Sequence, residues 1–76
     1  MAKLPRVSGK EMMDFLFRRG FGVIRIRGSH HFLESGSHRT CVLTHGNQPL
    51  KIGTLRSILR DIELSPVDFE RELRQP

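Results

Sequence analysis

The sequence predicts an α+β fold: a helix, then a three-stranded antiparallel sheet, then a helix, with a short extra helix at the C-terminal end. Three observations carry this reading. Apolar residues recur at helical spacing after Ser8 and again after Gly53, the period falls to two between Phe21 and Glu34, and a Gly-Ser pair interrupts that alternation at its middle. With 76 residues the chain holds one compact core, so residues 1–76 read as one domain.

The first helix is expected from about Gly9 to Arg19. Ser8 and Glu11 have capping-box spacing, Val7 and Met12 fit the accompanying hydrophobic staple, and Met12, Phe15 and Leu16 form one stripe. Gly20 is its left-handed stop. A strand then runs from Phe21 to Arg27, and Gly28-Ser29 suits a type II′ hairpin turn, since glycine takes the positive φ needed at its first position. A second strand returns through His30 to Glu34.

That turn fixes a register: Arg27 opposite His30, Ile26 opposite His31, Arg25 opposite Phe32 and Ile24 opposite Leu33. Ile24, Ile26, His31 and Leu33 are then expected to face the helices. Arg25, Arg27, His30 and Phe32 share the open face, where water reaches His30. A second turn around Ser35 to His38 leads to a third strand, Arg39 to about Thr44, whose facing the pattern leaves ambiguous. His45 to Gly53 reads as a loop carrying Lys51. A helix from Thr54 to about Glu63 follows, with Leu55, Ile58, Leu59 and Ile62 inward and Arg56 and Arg60 outward. The last helix begins at Ser65, with Pro66 at its first position and Phe69 and Leu73 as packing residues.

Composition narrows the function. Hydrophobic residues at 37% and charged residues at 28% make wholesale disorder an unsuitable description. No apolar run approaches the roughly 20 residues of a membrane span, and no apolar signal segment opens the chain, so a cytoplasmic location without membrane contact is expected. Cys41 is the sole cysteine, which excludes an intrachain disulfide. Thirteen Lys and Arg against eight Asp and Glu leave a net charge of +5, which suits a polyanionic partner.

Four histidines fall between His30 and His45. Imidazole titrates near neutrality, which suits it to proton transfer when a ribose hydroxyl attacks the adjacent phosphate. On the open face, Arg25 and Arg27 would neutralise charge on the pentacoordinate phosphorus; the alternative is that His30 is a polar residue on a solvated face. His31 reads as a structural histidine bonded to backbone, and His38 as a solvated turn residue. His45 could contact phosphate or pin its loop. No cofactor is expected, and zinc is disfavoured because His30 and His31 point to opposite faces and no ligand knuckle assembles the rest. Arg25, Arg27, Lys51, Arg56 and Arg60 form the basic group suited to a phosphate backbone, with Lys51 next to a helix N-terminus; the alternative is a solubilising face.

The segment RIRGSHHFLESGSHRTCVLTHGNQPLKIGTLRSILRD resembles the HicA toxins of bacterial toxin–antitoxin pairs. Three ordered motifs carry the resemblance: Gly28-Ser29-His30, His45-Gly46-Asn47, and Gly53-Thr54-Leu55 through Ile58-Leu59. One departure is Leu43, where HicA proteins commonly carry proline. The resemblance implies a double-stranded-RNA-binding-like fold and a metal-independent mRNA interferase that inhibits translation. It places the catalytic role on His30, with Gly28 as the structural turn residue and Ser29 beside the RNA. It also implies a HicB-type antitoxin that masks this face, the chain being a monomer when free and a hetero-oligomer when bound. The helix after Ser65 could pack on the core or meet that antitoxin. The reading from another class is a non-catalytic double-stranded-RNA-binding module.

Overall fold

The computed structural model describes residues 4–44 and 47–74. The chain runs through α1 (Gly9–Arg18), β1 (Gly22–Arg27), β2 (His30–Ser35), β3 (His38–Leu43), α2 (Ile52–Asp61) and α3 (Pro66–Leu73). The strands form one antiparallel sheet in the order β1-β2-β3, so the α+β layout is the one predicted.

α1 starts where the sequence places it. The Ser8 hydroxyl accepts from the Glu11 amide at 3.1 Å, and the Glu11 carboxylate accepts from the Ser8 amide at 2.9 Å. Val7 and Met12 are both buried, as the staple requires. At the far end Gly20 takes φ +92°, while Gly20 and Phe21 donate to the carbonyls of Phe17 and Leu16. This is a Schellman stop, and it turns the chain directly into β1.

Both hairpins turn on a Gly-Ser pair. Gly28 and Gly36 lie at φ +58° and +59°, whereas neither Ser29 nor Ser37 enters the positive-φ region, which is the type II′ combination. The register next to Gly28 is the predicted one: Arg27 pairs with His30, Ile26 with His31 and Arg25 with Phe32. Beyond Arg25 it departs. A bulge at Ile24 lets Val23, rather than Ile24, pair with Leu33.

The expected packing of Ile24 and Ile26 under the helices also needs correction, since they are 54% and 59% exposed. The physical reason is where the helices lie. α1 and α2 pack against β3, leaving β1 as the far, uncovered edge of the sheet. β3 completes the inner face with Thr40 and Val42, which register places beside Leu33 and His31. Cys41 and Leu43 therefore join the open face.

The core gathers Met12, Phe15 and Leu16 of α1, Leu33 and Val42 of the sheet, and Leu55, Ile58 and Leu59 of α2. α2 begins at Ile52, two residues before the expected Thr54, with Lys51 as its N-cap and no side-chain cap. It ends at Asp61 rather than near Glu63. Glu63 and Leu64 donate to the carbonyls of Arg60 and Leu59, and Glu63 itself takes φ +54°, so a glutamate occupies the position a helix stop usually gives to glycine. α3 starts on the Ser65 cap, whose hydroxyl accepts from the Asp68 amide at 3.1 Å. Its Phe69 meets Phe15 edge-on, with centroids 4.9 Å apart at 80°, and Arg19 pairs with Glu72. Of the two roles open to this helix, packing on the core is therefore observed.

Candidate nucleic-acid interface

The Gly28-Ser29 turn brings Arg27 and His30 opposite each other as the last pair of the β1–β2 hairpin. Both side chains leave the open face, and both residues are exposed. Two residues along each strand, Arg25 and Phe32 form the next pair on the same face. The His30 and Phe32 rings lie nearly parallel, 22° apart, with centroids separated by 6.5 Å. Histidine, arginines and one aromatic thus share a solvent-facing surface.

His30 Nδ1 lies 3.7 Å from Cys41 Sγ, whereas its Nε2 has no hydrogen-bond partner among the described residues. Burial, and to a lesser degree the negative charge of Asp61, push the Cys41 thiol up from its ordinary range. A neutral thiol consequently sits beside Nδ1 of the imidazole on the same face, and Nε2 is the ring nitrogen without a partner among the described residues. From the sequence, Cys41 is notable only as the sole cysteine, without a disulfide partner. The signal that would have found it is register: once β3 is known to face inward through Thr40, Cys41 falls opposite Phe32.

His31 occupies the other face, half-buried, with Nδ1 3.3 Å from the Ser29 carbonyl oxygen. Backbone bonding is what the sequence suggested for it. His38 departs from the solvated turn residue expected, because it opens β3 and its Nε2 lies 2.6 Å from the Glu63 carboxylate. That contact ties the second hairpin to the end of α2. His45 lies outside the described residues. Among the described residues, no three of His, Cys, Asp and Glu come together as a metal site.

The basic residues divide. Arg25 and Arg27 have no carboxylate partner among the described residues, while Arg39 on the same face is neutralised by Glu34 at 2.6 Å. Lys51 caps α2 and lines a 250 Å³ hollow with Leu43, the residue paired with His30 across β2–β3, and with Thr54. It therefore stands beyond the His30 end of the sheet. The amides of the first α2 turn have no side-chain cap there, and they favour an anion. Arg56 and Arg60 are exposed on the outer side of α2, in the helix layer, and are not joined to the Arg25–Arg27 face. Arg60 is near the opposite end of β3, where Asp61 accepts from Thr40 at 3.0 Å.

No described helix is long and apolar enough to cross a membrane. Comparison with protein families gives one finding: the model for HicA, the toxin of bacterial toxin–antitoxin pairs, matches residues 9–64. The match spans α1, the sheet and α2 with its stop, and α3 lies beyond it. Neither the curated proteins nor the solved structures yield a match.

Proposed function

Because this chain belongs to the HicA toxin family, in which toxin and antitoxin form a pair, we propose that it is an endoribonuclease that cuts mRNA and so inhibits translation, with His30 as its catalytic residue. The observation that carries the reading is the pairing of an exposed His30 with Arg27 across the turn, with Nε2 unpartnered among the described residues. The reaction is transesterification. Nε2 of His30 takes the proton of a ribose 2′-hydroxyl, the oxygen attacks the adjacent phosphorus, and the P–O5′ bond breaks to leave a 2′,3′-cyclic phosphate. Arg27 and Arg25 stabilise the charge that grows on the phosphoryl oxygens, which is greatest in the transition state. The departing 5′-oxygen needs a proton, supplied by His45 or by water.

Phe32 offers a ring on which one base can stack, and Ser29 in the turn lies beside the strand. Lys51 with the first turn of α2 takes a neighbouring phosphate. Arg56 and Arg60 extend the positive potential over the helix layer. The reaction uses no metal in this reading, since the groups named supply both proton transfer and charge neutralisation. The antitoxin, of the HicB type, binds the free monomer over the His30 face and forms a hetero-oligomer with it.

The test uses purified wild type and His30→Ala on a defined transcript in EDTA. Cleavage by the wild type alone, leaving cyclic phosphate ends, is expected. Equal decay with both proteins removes His30 from the chemistry. Binding without cleavage by the wild type turns the reading to a double-stranded-RNA-binding module, and rescue by zinc reopens a metal site.

A further inference from the structure

The turn that carries His30 is held from behind by groups on the opposite face of the sheet. The Ser29 carbonyl oxygen accepts from the Thr44 amide at 3.0 Å, just past the end of β3. The Thr44 hydroxyl is 3.5 Å from the same oxygen and 3.3 Å from His31 Nδ1, which in turn lies 3.3 Å from Ser29 O. Three groups therefore converge on one carbonyl, and that carbonyl belongs to the peptide leading into His30.

Donor and acceptor bookkeeping favours one tautomer of His31. A carbonyl oxygen only accepts, so the close approach of His31 Nδ1 is attractive only if that nitrogen carries hydrogen. Nδ1–H is then shared between Ser29 O and Thr44 Oγ, and the hydroxyl directs its own hydrogen to Ser29 O. A proton on Nε2 instead would set a ring lone pair against the carbonyl. The clamp joins β2, the turn and the end of β3, whereas β1, on the outer side of His30, is an uncovered edge.

The geometry points to His31 and Thr44 as positioning residues for His30: they pin the Ser29 carbonyl and so set where the imidazole stands relative to Arg27. The inference deepens the nuclease reading and rests on it for its consequence, though the clamp itself does not. Proximity effects are steep, and a displacement of about 1 Å at a reacting group can cost up to about a hundredfold in rate. Neither residue touches the open face, so their loss acts on rate rather than on RNA binding.

The experiment compares wild type, Thr44→Val, His31→Leu and His31→Asn. Nitrogen-15 NMR reads the His31 tautomer, exchange of the Thr44 amide reads the clamp, and RNA cleavage gives kcat and KM. We expect the neutral ring to carry its proton on Nδ1. Thr44→Val and His31→Leu speed exchange and lower kcat about tenfold with KM unchanged. His31→Asn, whose amide nitrogen stands near the place of Nδ1–H, recovers most of both. A proton on Nε2, an unchanged kcat in both Thr44→Val and His31→Leu, or no recovery in His31→Asn at an unchanged melting temperature overturns the inference. A wild type that does not cleave RNA overturns the nuclease reading instead, and with it the positioning role, while tautomer and exchange still decide the clamp.

Discussion

Arg27 and His30 face each other across Gly28-Ser29, and Arg27 has no carboxylate partner among the described residues, although Arg39, on the same face, is paired with Glu34. An arginine left without a counter-charge beside an exposed histidine is suited to a phosphate. Replacing Arg27 with alanine should weaken RNA binding similarly across sequences and reduce the slope of log affinity against log salt by about 1. Arg25→Ala should do the same. Arg60→Ala, at the other end of the helix layer, should leave the slope nearly unchanged. Fluorescence anisotropy across a salt series measures it, and equal slopes for all three variants would remove the sheet face as the phosphate track.

Gly9 is held against the end of β3. A Cβ there would stand 2.2 Å from the Leu43 carbonyl oxygen and 2.9 Å from Thr44 Cα, both backbone atoms that have little room to yield. Gly9→Ala gains helix propensity of up to about 1 kcal/mol, but overpacking of this kind costs about 1–3 kcal/mol. We expect net destabilisation in urea unfolding. Because Thr44 is one of the atoms displaced, Thr44 amide exchange should also quicken.

Phe69 tests whether α3, outside the family match, belongs to the folded body. Its ring is fully buried against Phe15, so Phe69→Ala should cost about 3–5 kcal/mol, a large part of the stability of a small domain. A loss below about 1 kcal/mol would mean that α3 is dispensable to the core.

Cys41 supplies a pH prediction with a definite sign. Burial first, and then the charge of Asp61, raise its thiol above the ordinary value, so the folded state disfavours the thiolate. Alkylation by iodoacetamide should be slow at neutral pH compared with a free thiol, and should accelerate only above the ordinary thiol range. By linkage the unfolded chain ionises first as pH rises, so this residue lowers stability in alkaline solution and does nothing below the thiol range. Alkylation as fast as that of a model thiol at neutral pH would contradict the environment described.

Much of this was legible because it depends on neighbours in sequence. Ser8 and Glu11 specify a helix start within one turn, Gly20 specifies its end, and Gly28-Ser29 sets the pairing of Arg27 with His30, since a two-residue turn leaves one register. Glu63 was harder. It takes φ +54° without being glycine, and its residue type does not announce a helix stop; its contact with His38, 25 residues away, is likewise invisible to local pattern. The Ile24 bulge was hidden for a similar reason: alternation assigns every second side chain to a face, and an extra residue cancels that arithmetic without leaving a mark in composition.

The sequence by itself determined the elements, the hairpin turn and the separation of His30 from His31, because each follows from backbone geometry over a few residues. Only the tertiary structure decided which strand the helices cover, and hence that Ile26 remains exposed while Val42 is buried. It alone set Cys41 beside His30, Thr44 and His31 on the Ser29 carbonyl, and Arg56 and Arg60 apart from Arg25 and Arg27. These are relations between distant segments, fixed by how one layer docks on another, and no local period encodes the docking.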